Sequence, residues 1–308
     1  MDLSLIIPSK NIDNFLILGV KSFISNNTNK VELIIVTDSL EPKHNYIKLC
    51  ELQKNNTDIS ILLNKKKGRV EALNYGFQKS VGKIIKCIDS DDILLPNFFK
   101  NVEEMKKYDA HCHNAIIANN DLEKIISYTF NPSILNKEYS YITGNMISSP
   151  RWTWSFSRKI GNLIFPIPAN LFAEDFWFTF IIKKNSNKIL YMNEELYIYR
   201  QHENNEWGGV ANFSRDVMIQ RSKWLLNEIT QLKENSIKLN INKDGFQHAT
   251  IYHNSMLNGD SFLKIISLPI NLIFKLKMII ILYFPKLASF VIKIKWFIDK
   301  YRFLREKK

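Results

Sequence analysis

The stretch Gly82-Lys83-Ile84-Ile85-Lys86-Cys87-Ile88-Asp89-Ser90-Asp91-Asp92 decides the fold. Ile84 to Ile88 is a short apolar run of strand length, and it delivers three carboxylates within four residues at its end. Upstream, Val70, Leu73, Phe77 and Val81 recur on one helical face that Gly82 terminates. Further back the alternation repeats. Leu3 to Ile7 is an apolar run closed by Pro8, followed by Leu16, Val20, Phe23 and Ile24 at helical spacing; Val31 to Val36 is β-rich, Pro42 to Lys54 reads as helical, and Ile59 to Leu63 is again strand-like. Strands alternating with helices over roughly ninety residues predict an α/β fold with a mostly parallel sheet flanked by helices, in which ligands sit beyond the carboxyl ends of the strands. Three polar clusters fall at those ends and are expected to converge: Ser9-Lys10-Asn11, Thr37-Asp38-Ser39 and Asp89-Ser90-Asp91-Asp92.

Clustered carboxylates repel one another unless a cation or a hydrogen-bond network compensates them. An oxygen-rich site of this kind suits Mg²⁺ or Mn²⁺, which would stabilise a leaving diphosphate. The same residues also suit a solvated turn, with Asp92 capping a helix that begins near Pro96. His111-Cys112-His113 places two imidazoles on one face of a strand, which is better explained by packing than by a metal.

With 308 residues, 45% of them apolar, the chain can bury a sizeable core. Its formal net charge of +12 calls for an anionic partner. The charge is concentrated in residues 259–308, where eleven basic residues face Asp260, Asp299 and Glu306. Three scattered cysteines, Cys50, Cys87 and Cys112, form neither a disulfide framework nor a zinc site and fit a reducing cytosol. The start, Met1-Asp2-Leu3-Ser4, lacks the pattern of a secretory signal. A Rossmann dehydrogenase or a nucleotidyltransferase would need glycines after the first strand, where Pro8-Ser9-Lys10-Asn11 has none. Nucleic acid is not an expected partner, because the basic residues are interleaved with long aliphatic ones and no recognition motif accompanies them.

Over roughly residues 3–205 the chain resembles the GT-A fold nucleotide-diphospho-sugar transferases of the inverting family 2. The similarity is carried by Ile6-Ile7-Pro8-Ser9-Lys10-Asn11, by Val36-Thr37-Asp38-Ser39, by Gly68-Arg69-Val70-Glu71-Ala72-Leu73-Asn74-Tyr75-Gly76, which is similar to the family's Gly-x-x-x-Ala-x-Asn-x-Gly stretch, and by Asp89-Ser90-Asp91. The resemblance implies that Pro8, Asn11, Asp38, Gly68, Arg69, Asp89 and Ser90 line the donor and that Asp91 holds the metal. Thr37 departs from the family's second-strand pattern, which usually ends in two acidic residues. Read on their own, Asp38 also fits an ordinary Asx turn, and Arg69 either faces phosphate at a helix N-terminus or is a solvated surface arginine.

Phe172-Ala173-Glu174-Asp175-Phe176-Trp177 is similar to the acidic pair that the family carries at the start of a helix. The resemblance implies Asp175 as the base that takes the acceptor proton, with Glu174 and Asp92 in support; acidic residues there also favour the helix dipole by themselves. Leu196-Tyr197-Ile198-Tyr199-Arg200-Gln201-His202 resembles the stretch that follows the base, which implies His202 as a metal ligand or phosphate contact and Arg200 as a supporting residue that could hold phosphate. Trp152 and Trp154 lie where relatives place acceptor elements, although core packing is the readier explanation for either indole.

The expected organisation is a catalytic domain over 1–213, a helical connection over 214–258 and a basic amphipathic helical extension over 259–308. In that extension Pro269 and Pro285 break any single span, and Lys264, Lys275, Lys277, Lys286, Lys293 and Lys295 alternate with apolar residues. Such helices suit an anionic membrane surface, with a packed face on this or another subunit in an oligomer as the alternative. The expected function is transfer of a sugar, with inversion, from a UDP-sugar or similar donor to a glycan or lipid-linked acceptor in surface polysaccharide or lipooligosaccharide synthesis. The expected location is the cytoplasmic face of the inner membrane. The alternative is a catalytically degenerate carbohydrate-binding or scaffold subunit.

Overall fold

The computed structural model of the chain describes residues 1–26, 30–129, 149–171, 174–201, 214–291 and 294. The described residues up to 129 and those of 149–201 gather into one compact unit, and the helices after 214 belong to a second.

In the first unit, β1 (Leu3–Ser9), α1 (Asn14–Asn26), β2 (Val31–Thr37), α2 (Lys43–Lys54), β3 (Ile59–Leu63), α3 (Arg69–Lys79) and β4 (Ile84–Cys87) alternate as the apolar periodicity predicts. β1 pairs in parallel with both β2 and β4, and β2 pairs in parallel with β3. All seven residues of β1 are buried, which is why the strand is mostly apolar and carries no charged residue. Helix α3 lies against β1 because Gly76 lets it: a Cβ at that position would sit 2.4 Å from Ile6 Cγ2. Gly68 starts the same helix at φ 94°, a conformation that L side chains rarely adopt.

Beyond β4 the sheet becomes mixed. The remaining strands are β5 (Ile93–Leu94), β6 (Ala110–Ala118), β7 (Lys124–Tyr128), β8 (Trp154–Ser157) and β9 (Ile189–Arg200). Among the described residues the order is β3-β2-β1-β4-β8-β6-β9-β5, with β7 on β6. The antiparallel β8 is inserted between β4 and β6, so the chain just before β8 returns beside the acidic residues that follow β4. Helix Glu174–Asn185 is enclosed on almost every side, with Phe176, Trp177, Phe178, Phe180, Ile181 and Ile182 all buried and the Trp177 indole donating to Ile164 O at 3.0 Å.

The second unit is helical. Ser214 caps the helix Arg215–Glu234, and Gly259 ends Gln247–Asn258 in the left-handed region. Phe262–Ser267, Leu272–Tyr283 and a helical stretch at 285–291 follow. Tyr252, Met256, Ile265, Met278, Ile281 and Leu282 form its core. No helix among the described residues is long and apolar enough to cross a membrane.

Candidate active site

The three polar clusters do fall at one end of the sheet, at the carboxyl ends of β1, β2 and β4. Pro8 is buried within β1 opposite Val36, and Asn11 is exposed just beyond the strand, its carbonyl accepting from Ser9 Oγ. After β2, the buried Thr37 donates from Oγ1 to Ser39 O at 2.7 Å and shapes the turn that presents Asp38. The Asp38 carboxylate accepts from Asn64 Nδ2 at 2.7 Å and from Gly68 N–H at 2.8 Å. Asp38 therefore ties the loop before α3 to the end of β2, a more specific contact than a solvated Asx turn. The next residues of the glycine-containing stretch have a clear mechanical use as well. Asn74 donates to Ile167 O at 2.8 Å and accepts from Ile167 N–H at 2.7 Å, clamping α3 to the segment that leads toward Glu174.

The acidic cluster divides into a buried anchor and more accessible members. Asp92 is buried; its carboxylate accepts from Tyr197 Oη and from Arg200 N–H, each at 2.7 Å. Burial, then the neighbouring Asp91 and Asp89, push its pKa well above the ordinary carboxylate range. It does not cap the helix Pro96–Lys100, whose N-cap is Leu95. Arg200 holds the same loop from behind, donating from Nε to Asp91 O at 2.8 Å and from Nη1 to Asn120 O at 2.6 Å, with its guanidinium 4.3 Å from the Phe15 ring centroid. This buried residue is an anchor of the loop and is not placed to hold phosphate. Asp89, Ser90 and Asp91 remain half-buried at the surface of the site.

The other half of the site comes from Arg151 and the start of the helix Glu174–Asn185. Arg151 Nη2 pairs closely with Asp89 Oδ1, its Nε lies 3.9 Å from Glu174 Oε1, and its backbone N–H donates to Asp175 Oδ1 at 2.7 Å. Arg69, from the start of α3, pairs with Glu174 at 2.5 Å, so it is not a free surface arginine. Burial and, after it, the adjacent Glu174 raise the Asp175 pKa to about 6, against the opposing effect of the Arg151 N–H and guanidinium. Asp38, Gly68, Arg69, Glu174, Asp175, Arg151 and Asp89 thus form one connected chain of contacts.

The two candidate acceptor tryptophans prove to be internal. Trp154 is fully buried, with Nε1 donating to Thr179 Oγ1 at 3.2 Å, so its indole has no face to offer a sugar. Trp152 stacks on Tyr197 with ring centroids 4.9 Å apart and an interplanar angle of 3°, and on Tyr199 at 5.4 Å; both its packing and its burial make it a support beneath the acidic loop. His113 donates from Nδ1 to Asn114 O at 2.9 Å, leaving Nε2 to accept from the buried Lys86 Nζ at 2.8 Å, and His111 contacts Met105 O at 2.6 Å. Those imidazoles are core residues. His202 lies outside the described residues.

Four residues of the site carry no clear signal in the sequence: Arg151, Tyr197, Asn64 and Lys86. Arg151 and Tyr197 stand in motifs that draw attention for their other members, whereas Asn64 and Lys86 sit in ordinary loop and strand positions.

Residues 4–162, more than half of the chain, match the family model described as glycosyl transferase family 2. The chain belongs to glycosyl transferase family 2. Among curated proteins it is similar to an uncharacterized glycosyltransferase of Rickettsia bellii, 32% identical over 123 residues, and to the minor teichoic acid biosynthesis protein GgaB of Bacillus subtilis, 29% identical over 112 residues. These matches cover 40% and 36% of this chain but only 17% and 12% of the relatives' own length. Among solved structures it is similar to S. aureus TarS (residues 1–349) in complex with UDP-GlcNAc, with a TM-score of 0.58 and 16% identity over 92% of this chain and 79% of that one. It is also similar to the mannosyltransferase PcManGT of Pyrobaculum calidifontis in complex with GDP-Man and Mn²⁺, with a TM-score of 0.52 and 12% identity over 94% and 86% of the two chains. The GT-A architecture expected from the sequence is therefore shared with solved glycosyltransferases, and the family assignment agrees with the motifs.

Proposed function

We propose that this family 2 protein transfers a sugar, with inversion, from a nucleoside-diphosphate donor to a hydroxyl of a glycan or lipid-linked acceptor. One observation carries the reading: Asp175, oriented by the Arg151 N–H and raised to about 6, is joined through Arg151 to Asp89 of the acidic cluster. A carboxylate with that pKa is ionised at neutral pH yet basic enough to accept a proton as it develops. The acceptor oxygen attacks the anomeric carbon on the face opposite the diphosphate, the carbon–oxygen bond to the diphosphate breaks with its electron pair, and the acceptor proton passes to Asp175.

Donor contacts fall to the Asp38 side and to Asp89 and Ser90. Uridine is the preferred nucleoside, in line with the UDP-GlcNAc complex of TarS, whereas PcManGT binds GDP-Man. A resident Mg²⁺ or Mn²⁺ fits the donor chemistry in one way. Among the described residues no three acidic, histidine or cysteine side chains converge on an ion, and Asp89 and Asp92 are engaged by Arg151 and by Tyr197 with Arg200 N–H. The family resemblance assigns Asp91 to the metal, with His202 as a second candidate; such ions are commonly held by one or two carboxylates together with substrate phosphates. When bound, the ion would offset the charge of the leaving diphosphate. The GgaB and TarS similarities favour a cell-surface polymer as the product's destination.

The helical extension favours an anionic membrane surface on the cytoplasmic side. Leu263, Leu272 and Ile273 are 78%, 67% and 70% exposed, and Phe284, Leu287, Phe290, Val291 and Ile294 recur at helical spacing and are likewise exposed. Lys264, Lys275 and Lys277 are interleaved with them. Apolar side chains bracketed by ammonium groups are what a headgroup region accommodates.

The test is release of nucleoside diphosphate by the purified protein across a panel of nucleotide sugars, with Mn²⁺, Mg²⁺ or EDTA. Metal-dependent release that Asp91→Ala abolishes supports the reading. Donor binding without turnover on a broad acceptor panel identifies a scaffold instead.

A further inference from the structure

We infer that Arg151 is a positioning residue that locks the donor-side Asp89 and the base Asp175 into one geometry, and that the buried Lys86 holds Arg151 in place. The inference rests on the transfer reading above and extends it to residues outside the motifs.

The geometry is a closed circuit. Lys86 lies on β4, three residues before Asp89, and its ammonium donates to Trp152 O at 2.7 Å and to Trp154 O at 3.3 Å. Those carbonyls belong to the tight turn Arg151–Thr153 and the first residue of β8, where Thr153 also bonds back to Pro150 O through both N–H and Oγ1. Arg151, at the head of the turn, then reaches back across to Asp89. The strand that presents Asp89 therefore anchors the turn whose side chain fixes Asp89 and whose N–H fixes Asp175.

Arg151 is only 3% exposed. A buried guanidinium left in place by packing alone would be costly; here Asp89 and Glu174 overcome the burial and keep it charged. Arg is suited to this work because its planar fork addresses two carboxylates at once, which a lysine cannot reproduce. The contacts join residues assigned to opposite halves of the reaction, so loss of the guanidinium changes more than stability. The groups that face Asp175 are Glu174 beside it, Arg151 and Asp89 across from it, and Tyr128 from β7, with Arg69 reaching Glu174 from α3. Arg151 is the cation nearest the base.

Arg151→Met keeps the N–H to Asp175 and removes the charge. The expected result is a fall in kcat/KM of about 10- to 100-fold, a higher donor KM, and an acid limb of the kcat/KM profile moved upward by at least half a unit, with Arg151→Lys intermediate. Unchanged kinetics and an unchanged acid limb in a folded Arg151→Met protein overturn the inference. Should the methionine variant fail to fold, Arg151→Lys carries the test, and wild-type kinetics in that variant overturn it. Should the wild type turn over no nucleotide sugar, the transfer reading fails on its own. The inference is then read from the ¹³C NMR titration of the Asp175 carboxyl, assigned with Asp175→Asn: an upward shift in Arg151→Met supports it, and coincident titrations overturn it.

Discussion

Gly76→Ala should destabilise the protein even though alanine is the better helix former. Gly76 lies inside α3, where replacing glycine by alanine normally gains about 1 kcal/mol. The added methyl, however, would lie 2.4 Å from Ile6 Cγ2 and 3.3 Å from Val36 Cγ2, against a comfortable carbon–carbon separation of about 3.5–4.0 Å. Ile6 is fully buried on the central strand and β-branched, so its methyl cannot swing aside without moving the sheet or the helix. Overpacking costs about 1–3 kcal/mol, and a 2.4 Å approach to a buried β-branched side chain belongs to the upper part of that range, about 2–3 kcal/mol, so a net loss of about 1–2 kcal/mol remains after the propensity gain. For a unit of this size that corresponds to a Tm lower by about 2–8 °C. Thermal and urea unfolding of Gly76→Ala should be compared with Gln78→Ala, an exposed position on the same helix that should change stability by no more than about 0.5 kcal/mol. A Gly76→Ala protein as stable as the wild type, or more so, refutes the claim that this glycine is there to bring α3 onto β1.

The acid limb of kcat/KM should fall near pH 6, because burial raises Asp175 to about that value and only its ionised form accepts a proton; a rate profile flat down to pH 5 would exclude Asp175 as the base. Co-sedimentation with vesicles should be stronger for phosphatidylglycerol than for phosphatidylcholine and should weaken with salt, and replacing Leu272, Ile273 and Leu276 by serine should lower it at least fivefold; equal binding to both vesicles removes the electrostatic part of the membrane reading. Asp92→Ala, which leaves the Arg200 N–H and the Tyr197 hydroxyl without their carboxylate, should cost about 2–4 kcal/mol of stability by denaturant unfolding, and a loss below about 1 kcal/mol would mean that Asp92 is not the buried anchor of the loop.

The elements legible in the sequence are those whose signal is local. The apolar runs of β1 to β4, the helical faces between them and the glycine that opens α3 all act within a few residues, so their periodicity survives in the linear order. The glycine-containing stretch was informative for a mechanical reason, since Asn74 clamps Ile167 and Gly76 admits Ile6. What was not legible depends on partners far away in the chain. Arg151 meets Asp89 across 62 positions, and Tyr197 meets Asp92 across 105. Lys86 stands unremarked in a run that reads as an apolar strand, yet it is fully buried against two carbonyls and His113, and burial lowers its pKa to about 7. Trp154 was open to a binding reading for the same reason: an indole looks alike in sequence whether it faces a sugar or a core. The mixed second half of the sheet also escaped, because the direction in which β8 enters is set by pairing with β4 and β6 and by no residue of β8 itself.

The measurement that bears most directly on the central claim is donor affinity and turnover for wild type and Asp175→Asn under identical metal and pH. Asparagine keeps the shape of the side chain and an oxygen for the Arg151 N–H, so the donor should bind within about threefold of wild type while turnover falls by about 10²–10⁴. Turnover within tenfold of wild type in a folded Asp175→Asn protein would contradict the assignment of this carboxylate as the base of an inverting transfer.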